Sequence, residues 1–215
     1  MTKLSRGNCY LCGGEIGKTA IKNHLLKHHV YCGDDAQRCC LIKAESMYDK
    51  NYWLYFDIPA DRTLSTIDSF LRKIWLECCG HMSRFYCGTD TIGKGRKLSA
   101  FEIGDRIAHE YDYGTPTDTL ITFVGETARA PQKNVVRLLA RNVPPVFECC
   151  ECGKEATEVC PQCPPDCDPY FCPECAEKHE HDYLLPVMNS PRMGDCGYCG
   201  ELDVYAFDPE RLAKK

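Results

Sequence analysis

Residues 149–199 form a cysteine-rich stretch that reads CCECGKEATEVCPQCPPDCDPYFCPECAEKHEHDYLLPVMNSPRMGDCGYC. Ten of the chain's eighteen cysteines lie in it, and most are paired with two residues between them. The pairs, with the histidine pair that follows the third, are Cys149/Cys152, Cys160/Cys163, Cys172/Cys175, Cys196/Cys199 and His179/His181. A C-x-x-C turn presents two thiolates from one tight bend, and zinc prefers four thiolate or imidazole ligands in a tetrahedron. The pattern therefore predicts structural zinc.

The spacing of these pairs resembles that of cross-braced two-zinc modules such as the B-box and ZZ fingers. In a cross-brace the first and third pairs share one ion, and the second and fourth share the other. The resemblance implies a first site of Cys149, Cys152, Cys172 and Cys175 and a second site of Cys160, Cys163, His179 and His181. Such modules lack a pair like Cys196/Cys199, which is an alternative source of ligands for the second site. Cys150 is an alternative to Cys149, with a less favourable turn.

The stretch contains few large apolar side chains to form a core. Between residues 149 and 183 they are Val159, Tyr170, Phe171 and Tyr183. Their burial cannot offset the entropy lost on ordering the chain, whereas each structural zinc site contributes about 10 kcal/mol or more. We therefore expect this segment to be unfolded without metal. Leu184, Leu185 and Val187 are expected to dock it onto the rest of the molecule.

A second zinc pattern lies near the start of the chain, at residues 9–28. It reads C-x2-C-x11-H-x3-H, one residue shorter than the common zinc-finger loop. The predicted ligands are Cys9, Cys12, His24 and His28, with His29 as the alternative to His28. Thr19 can cap a helix on which His24 and His28, one turn apart, face the same side. Together with the two C-terminal sites, this predicts about three zinc ions (Zn²⁺) per chain.

The middle of the chain shows the periodicities of a folded domain. Residues 38–45 and 52–58 are rich in aromatic and branched side chains and indicate strands. Apolar residues from Leu64 to Trp75 recur at helical spacing. Residues 105–113 and 119–126 predict a hairpin that turns at Gly114–Pro116. The fold class is therefore α+β, with a mostly antiparallel central sheet, one principal helix and small zinc-stabilised modules at both ends.

Three central segments carry a resemblance to a known family. They are Tyr52–Leu64 (YWLYFDIPADRTL), Phe70–Phe85 (FLRKIWLECCGHMSRF) and Tyr111–Gly114 (YDYG). Over residues 38–140 the chain resembles the plasmid pRi open-reading-frame-three-like family, also labelled insertion-element passenger or TnpR-like. The resemblance implies an α+β domain of prokaryotic intracellular proteins with no settled activity. The predicted organisation is thus a finger at 1–30, this domain at 38–143, a two-zinc module at 146–200 and a tail at 201–215.

The net charge of −5 is unevenly distributed along the chain. Residues 1–30 have a net charge of +4, residues 31–147 are neutral, and residues 148–215 have a net charge of −9. Only the finger has a positive net charge, which favours binding to a phosphate backbone. We expect nucleic acid to contact the basic finger and protein to contact the acidic end. With no apolar run long enough for a membrane helix and no secretory signal, we expect a cytoplasmic protein that does not contact membranes.

The sequence favours a non-enzymatic, zinc-binding protein. It lacks the H-E-x-x-H, zinc-deaminase and Walker patterns, and its surplus of thiolates favours closed zinc sites. The turn from Cys78 to Phe85 contains Cys79 and His81, and Cys87 follows it. These residues could form a metal site or a thiol nucleophile. Packing is the favoured interpretation, because cysteine is commonly buried. Core packing is likewise expected for Cys39, Cys40 and His109. The alternatives are an enzyme that uses this turn and a metal or redox sensor.

Overall fold

The computed structural model describes residues 5–28, 31–164, 168–200 and 204–210. Its dominant feature is a large antiparallel sheet. The strands are β1 (Arg6–Cys9), β2 (Glu15–Gly17), β3 (Gln37–Ser46), β4 (Trp53–Pro59), β5 (Ser83–Cys87), β6 (Asp90–Ile92), β7 (Arg106–Tyr111), β8 (Thr117–Arg129) and β9 (Arg137–Asn142). Within the described ranges these nine strands pair in the order β2-β1-β9-β4-β3-β8-β7-β5-β6.

Strand β4 lies at the centre of the sheet and is covered on both faces. Trp53 and Tyr55 pack on one face, and Leu54 and Phe56 pack on the other. Every residue of the strand is buried. Because successive side chains of a strand point to opposite faces, a strand covered on both sides reads as a continuous apolar run. This explains why apolar and polar residues do not alternate in the sequence of β4.

Two helices cover the two faces. Helix α1 (Ile21–His28) packs on the face of Trp53, where Ile21 and Leu25 are buried. Helix α2 (Leu64–Leu71) packs on the opposite face and continues as a wider π-helical turn, Arg72–Leu76. The predicted apolar stripe of this principal helix is buried against the sheet: Leu64, Ile67, Phe70, Leu71, Ile74 and Trp75. A short 3₁₀ turn follows at Leu98–Ala100. The predicted fold class is therefore confirmed.

The N-terminal segment is a ββα unit that belongs to the large sheet. Strand β1 pairs with β2 on one side and with β9 on the other. The β1 backbone crosses close to the ring of Trp53, and a Cβ atom on Gly7 would lie 2.3 Å from that ring. Only glycine allows so close an approach. The finger predicted at residues 1–30 is thus an extension of the sheet and not a separate module on a linker.

The C-terminal segment forms a small second unit. Its strands β10 (Glu158–Val159), β11 (Tyr170–Phe171) and β12 (Leu185–Pro186) pair in the order β11-β10-β12. A single helical turn, α3 (Pro173–Ala176), follows β11. The apolar cluster at the centre of this unit consists of the buried residues Cys160, Phe171 and Ala176. It is far smaller than the clusters on the large sheet, as the shortage of apolar residues predicts.

Polar contacts from a C-terminal strap (residues 188–200) attach this unit to the large sheet. Arg141 Nη2 donates to the Asn189 carbonyl at 2.6 Å, and Asn142 Nδ2 donates to Asn189 Oδ1 at 2.7 Å. The hydroxyl of Ser190 donates to the carbonyl of Trp75 at 2.6 Å, and the buried Arg192 reaches Asp112 at 2.5 Å.

Leu184, Leu185 and Val187 are expected to dock the unit, and all three make contacts within it. Leu185 lies in β12, and Leu184 packs on the unit's own cluster. The backbone of Val187 bonds to Thr157.

The remaining central elements agree with their predictions. The hairpin is β7 and β8, and its strands pair from Arg106 opposite Thr122 to Tyr111 opposite Thr117. Cys39, Cys40 and His109 are buried, as expected. His109 Nε2 lies 2.8 Å from Asp68 Oδ1, so the buried imidazole is held by a carboxylate from α2. Strand β6 is the element that the sequence did not reveal, since it is three residues long.

One buried ion cluster joins β4 to β8 and β9. Asp57 on β4 is fully buried, and its Oδ1 accepts a hydrogen bond from Arg129 at 2.8 Å. Arg137 on β9 donates to the other oxygen of the same carboxylate. Arg129 is 1% exposed and also bonds to the carbonyl of Val135. Neutralising the carboxylate would leave a guanidinium buried without its counter-charge, which costs far more than losing an exposed pair.

We predict that Asp57→Asn lowers the free energy of unfolding by about 3–5 kcal/mol, measured by urea denaturation in excess zinc. Glu126→Gln is the matched control, because it removes the exposed Arg38–Glu126 pair from the adjacent strands. It should cost less than about 1 kcal/mol. Equal losses for the two variants would contradict the importance given to the buried cluster.

Candidate metal centres

The N-terminal ββα unit brings three predicted ligands together. Cys9 ends β1, Cys12 lies in the turn that follows, and His24 projects from α1. Their ligand atoms all lie within 4.8 Å of one another, and Cys12 Sγ is 3.4 Å from His24 Nε2. The turn is held by the backbone N–H of Gly13, which donates to the carbonyl of Cys9 at 2.9 Å. Gly13 has a φ of +78°, which glycine adopts without strain.

The fourth predicted ligand of this group is His28, the last residue of α1. Its side chain lies outside the described part of the structure, as does all of His29. A residue four positions after His24 on a helix lies on the same side, one turn further along. His28 therefore remains the predicted fourth ligand, with His29 as its alternative.

The first C-terminal group consists of four thiols: Cys149, Cys152, Cys172 and Cys175. Cys152 Sγ lies 3.6 Å from Cys172 Sγ and 3.7 Å from Cys175 Sγ. Zinc–sulfur bonds of about 2.3 Å in a tetrahedron place the sulfurs about 3.8 Å apart, so the spacing fits a zinc ion. Each pair is presented by a tight turn, in which Gly153 N–H donates to the Cys149 carbonyl and Cys175 N–H to the Cys172 carbonyl.

The thiols of this group differ in acidity. Hydrogen bonds from backbone N–H groups, first that of Cys172, lower the pKa of Cys149 to about 6. A hydrogen bond with the Cys172 side chain raises the pKa of Cys175 to about 12. One thiol is therefore readily ionised while its neighbour resists ionisation. Four ionised thiols would repel one another. A divalent cation would offset that repulsion and allow all four to act as thiolates.

The second C-terminal group consists of Cys160, Cys163, His179 and His181. Cys160 Sγ is 3.3 Å from His181 Nδ1, and Cys163 Sγ is 3.4 Å from His179 Nε2. The ring of Phe171 packs against the ring of His179, with 4.2 Å between centroids. Because Phe171 directly precedes Cys172, β11 connects the two groups. The structure thus assembles the four residues that the cross-brace spacing assigns to each site.

The pair Cys196/Cys199 does not join the second C-terminal group. Cys196 lies instead against the central domain, in a group with Cys78, Cys79 and His81. Cys199 is exposed and belongs to no metal-ligand group in the described ranges. Cys150 is likewise exposed and lies outside the four-thiol group.

Sequence reasoning missed the group around Cys196. Packing was the favoured interpretation of Cys78, Cys79 and His81, but Cys79 is exposed and does not serve a core. The available signals were the closely spaced cysteines and histidine at residues 78–81 and a C-terminal C-x-x-C pair in excess of a cross-brace.

The donor atoms of these groups suit zinc better than harder cations. All are thiolate sulfurs or imidazole nitrogens, which zinc accepts in tetrahedral sites, whereas calcium and magnesium prefer oxygen. Each complete group offers four protein ligands. A zinc ion held by four protein ligands has no position left for water or substrate, which is the arrangement of structural zinc sites.

No model of a known protein family matches the chain, and no curated protein matches it. A crystal structure of a protein of unknown function from Methanosarcina mazei Go1 is similar over part of the chain. The similarity has a TM-score of 0.40 at 16% identity and covers 48% of this chain and 68% of that one. A likeness of this strength adds no argument about function. The resemblance of residues 38–140 to the plasmid pRi open-reading-frame-three-like family therefore stays a prediction. Across the described ranges, every helix is too short or too polar to cross a membrane.

We predict that removing metal unfolds the C-terminal unit and leaves the large sheet intact. After treatment with a chelator and a reducing agent, amides of residues 149–183 should exchange their hydrogens at the rate of an unfolded chain, because their apolar cluster is too small to hold them. Amides of β3, β4 and β8 should stay protected, and they serve as the internal control. Protection of 149–183 that survives metal removal would contradict the assignment of structural metal.

Proposed function

We propose that the chain is a zinc-stabilised binding protein without catalytic activity. The observation that carries the proposal is the composition of its candidate sites. The four-residue C-terminal groups are complete sets of thiols and imidazoles, and three matching ligands converge in the N-terminal unit. Catalytic zinc commonly keeps three protein ligands and an open fourth position. With two closed C-terminal sites and a third that His28 is predicted to close, the metals would hold surfaces in place and leave binding as the function.

An acidic groove beside the C-terminal sites supports a protein partner. The groove is a cavity of about 690 Å³ whose lining includes Glu151, Asp168, Phe171, Lys178 and Glu180. The three carboxylates are exposed, and Phe171 is buried. Two prolines, Pro164 and Pro169, also line it. An apolar floor with a predominantly acidic rim suits an extended segment of a partner that is rich in lysine or arginine.

This partner class can be tested with a short fluorescent peptide in which lysine alternates with apolar residues. Its binding should be saturable by anisotropy and should weaken as salt is added. Neutralising the rim with Glu151→Gln, Asp168→Asn and Glu180→Gln should lower the affinity about tenfold, since each exposed ion pair contributes a few tenths of a kcal/mol.

The matched control neutralises three exposed carboxylates outside the groove, Glu148, Glu155 and Glu177, each to Gln. It changes the net charge by the same amount and should leave the affinity within about twofold if the groove is the site. Equal losses in the two triple variants, or no saturable binding, would contradict a protein site in the groove.

Nucleic acid is the second candidate partner, through the N-terminal unit. Two of its basic side chains already have acidic partners, since Arg6 pairs with Glu15 and Lys18 with Glu45. The proposal therefore relies on Lys22 and Lys27 of α1. Lys27 is exposed and Lys22 is half-buried. Two cations give weak affinity that depends strongly on salt, so this contact would supplement a protein contact.

For nucleic acid, we predict that Lys27→Glu weakens binding to a short DNA duplex. It should also make the negative slope of log affinity against log salt concentration shallower by about 0.9. Lys133→Glu makes the same charge change at an exposed position of the β8–β9 loop. It should leave the slope unaltered. If both variants reduce the slope equally, the N-terminal unit is not the contact surface.

A further inference from the structure

Two distant parts of the chain meet at the group around Cys196. The first is the turn that follows the π-helical end of α2. There Glu77 leaves the helix, and its Oε1 accepts hydrogen bonds from the Gly80 N–H at 2.5 Å and the Tyr111 hydroxyl at 3.1 Å. Gly80 takes a φ of +83°, which lets the chain reverse within residues 77–81. These hydrogen bonds therefore hold the turn in place without a bound ligand.

The second part is the strap, which reaches this turn through a buried arginine. Arg192 is fully buried and donates to Asp112 Oδ2 at 2.5 Å and to Thr117 Oγ1 at 3.1 Å. Four residues later, Cys196 adopts a φ of +47°, a left-handed conformation rare for a residue with a side chain. Such conformations persist where surrounding contacts enforce them. Here the conformation directs the thiol of Cys196 toward Cys79.

The ligand atoms of the four residues have the spacing of a coordination shell. The sulfurs of Cys79 and Cys196 are 3.8 Å apart, and those of Cys78 and Cys79 are 4.0 Å apart. A tetrahedral zinc site requires about 3.8 Å between sulfurs. His81 Nε2 lies 2.9 Å from Cys79 Sγ and 3.1 Å from Cys196 Sγ. All four ligand atoms lie within 4.8 Å of one another, the same spread as in the other three groups.

A carboxylate orients the imidazole from its other side. His81 Nδ1 lies 3.4 Å from Asp112 Oδ1, while Nε2 faces the three thiols. Asp112 is itself buried and held by Arg192 and by the Gly114 N–H at 2.9 Å. A ligating histidine almost always donates its second N–H to a carboxylate, carbonyl or water, which fixes the tautomer that can bind the metal. Thiols that only share hydrogen bonds would not require a carboxylate on the far side of the imidazole.

A divalent ion would offset most of the negative charge of three thiolates, since Zn²⁺ with three thiolates carries a net charge of −1. The guanidinium of Arg192, which also pairs with Asp112, lies 3.8 Å from Cys78 Sγ. A disulfide between Cys79 and Cys196 would use two of the thiols and leave Cys78 and His81 without a role. A metal ion uses all four residues.

We propose that Cys78, Cys79, His81 and Cys196 form a fourth zinc site that ties the C-terminal strap to the central domain. Its Cys₃His composition is one of the common structural sets. The ion links Cys79 to Cys196, 117 positions apart in sequence, and so joins two units that the first three sites leave separate. The site adds to the proposed function a fixed orientation of the C-terminal unit on the sheet. It relies on that function only for the identity of the metal.

The test is the zinc content of the full chain, expressed with zinc, purified under reducing conditions and weighed by native mass spectrometry. The wild type should carry four ions, one for each group. Cys196→Ser and, independently, Cys79→Ala should each carry three and keep the far-ultraviolet circular dichroism of the wild type. Cys199→Ser is the matched control from the same C-x-x-C pair, because Cys199 lies outside the described group, and it should keep four.

A second measurement tests the bridge itself. In Cys196→Ser, amides of residues 188–200 should exchange faster than in the wild type, while those of residues 149–183 should not change. Both results are specific to an ion that links the strap to the sheet.

The possible failures are distinct. Three ions in the wild type and three in Cys196→Ser would overturn the fourth site and leave the proposed function intact. A wild-type mass that is two hydrogens lower and lacks this ion would reveal a Cys79–Cys196 disulfide and would also overturn it. One ion in the wild type, lost in Cys196→Ser, would support the bridge and refute the zinc-stabilised modules of the proposed function.

Discussion

We infer that residues 149–187 depend on metal–thiolate bonding, because they have almost nothing else to fold around. Their buried apolar cluster consists of Cys160, Phe171 and Ala176, and one of these three is itself a predicted ligand. The conformational entropy lost on ordering such a segment far exceeds what this burial returns. A structural zinc site contributes about 10–16 kcal/mol at neutral pH, enough to reverse that balance. The two cross-braced groups therefore serve as the core of this unit.

The large sheet is stabilised in the opposite way, and the contrast bears on function. Strand β4 buries every residue between α1 and α2, and Asp57 joins β4 to β8 and β9 through two arginines. This part of the molecule can stay folded when metal is lost. The C-terminal unit cannot, and it carries the acidic groove. Its position on the sheet depends on the strap, where Asn189, Ser190 and Arg192 make polar contacts that are satisfied only in one docking geometry. A rigid scaffold that presents a metal-ordered surface suits recognition, in which a preformed surface loses little entropy on binding.

Sequence reasoning succeeded where the determining signal is local. The helical stripe of α2 and the β7–β8 hairpin follow from periodicity and turn chemistry over fewer than 25 residues. The C-x-x-C spacing reports which ligands share a turn, and the resemblance to cross-braced modules implies which turns share an ion. Three features could not be found in this way. The pairing of β1 with β9 and the meeting of His81 with Cys196 join residues more than 100 positions apart. The docking of the strap rests on single polar side chains, which leave no periodic pattern. The same locality explains why Cys196 was first considered for the second C-terminal site, the nearest predicted site in sequence.

The most direct test of the account is an anomalous difference map from crystals of the zinc-loaded chain, with data collected on both sides of the zinc absorption edge. The account predicts a peak at the centre of each ligand group, about 2.3 Å from sulfur and about 2.0–2.1 Å from nitrogen, with four protein ligands and no water in the shell. The C-terminal peaks should lie at Cys149/Cys152/Cys172/Cys175 and at Cys160/Cys163/His179/His181. An ordered C-terminal unit without a peak in either group, or a peak with an open position filled by water, would contradict the claim that closed zinc sites serve as the core of the C-terminal unit.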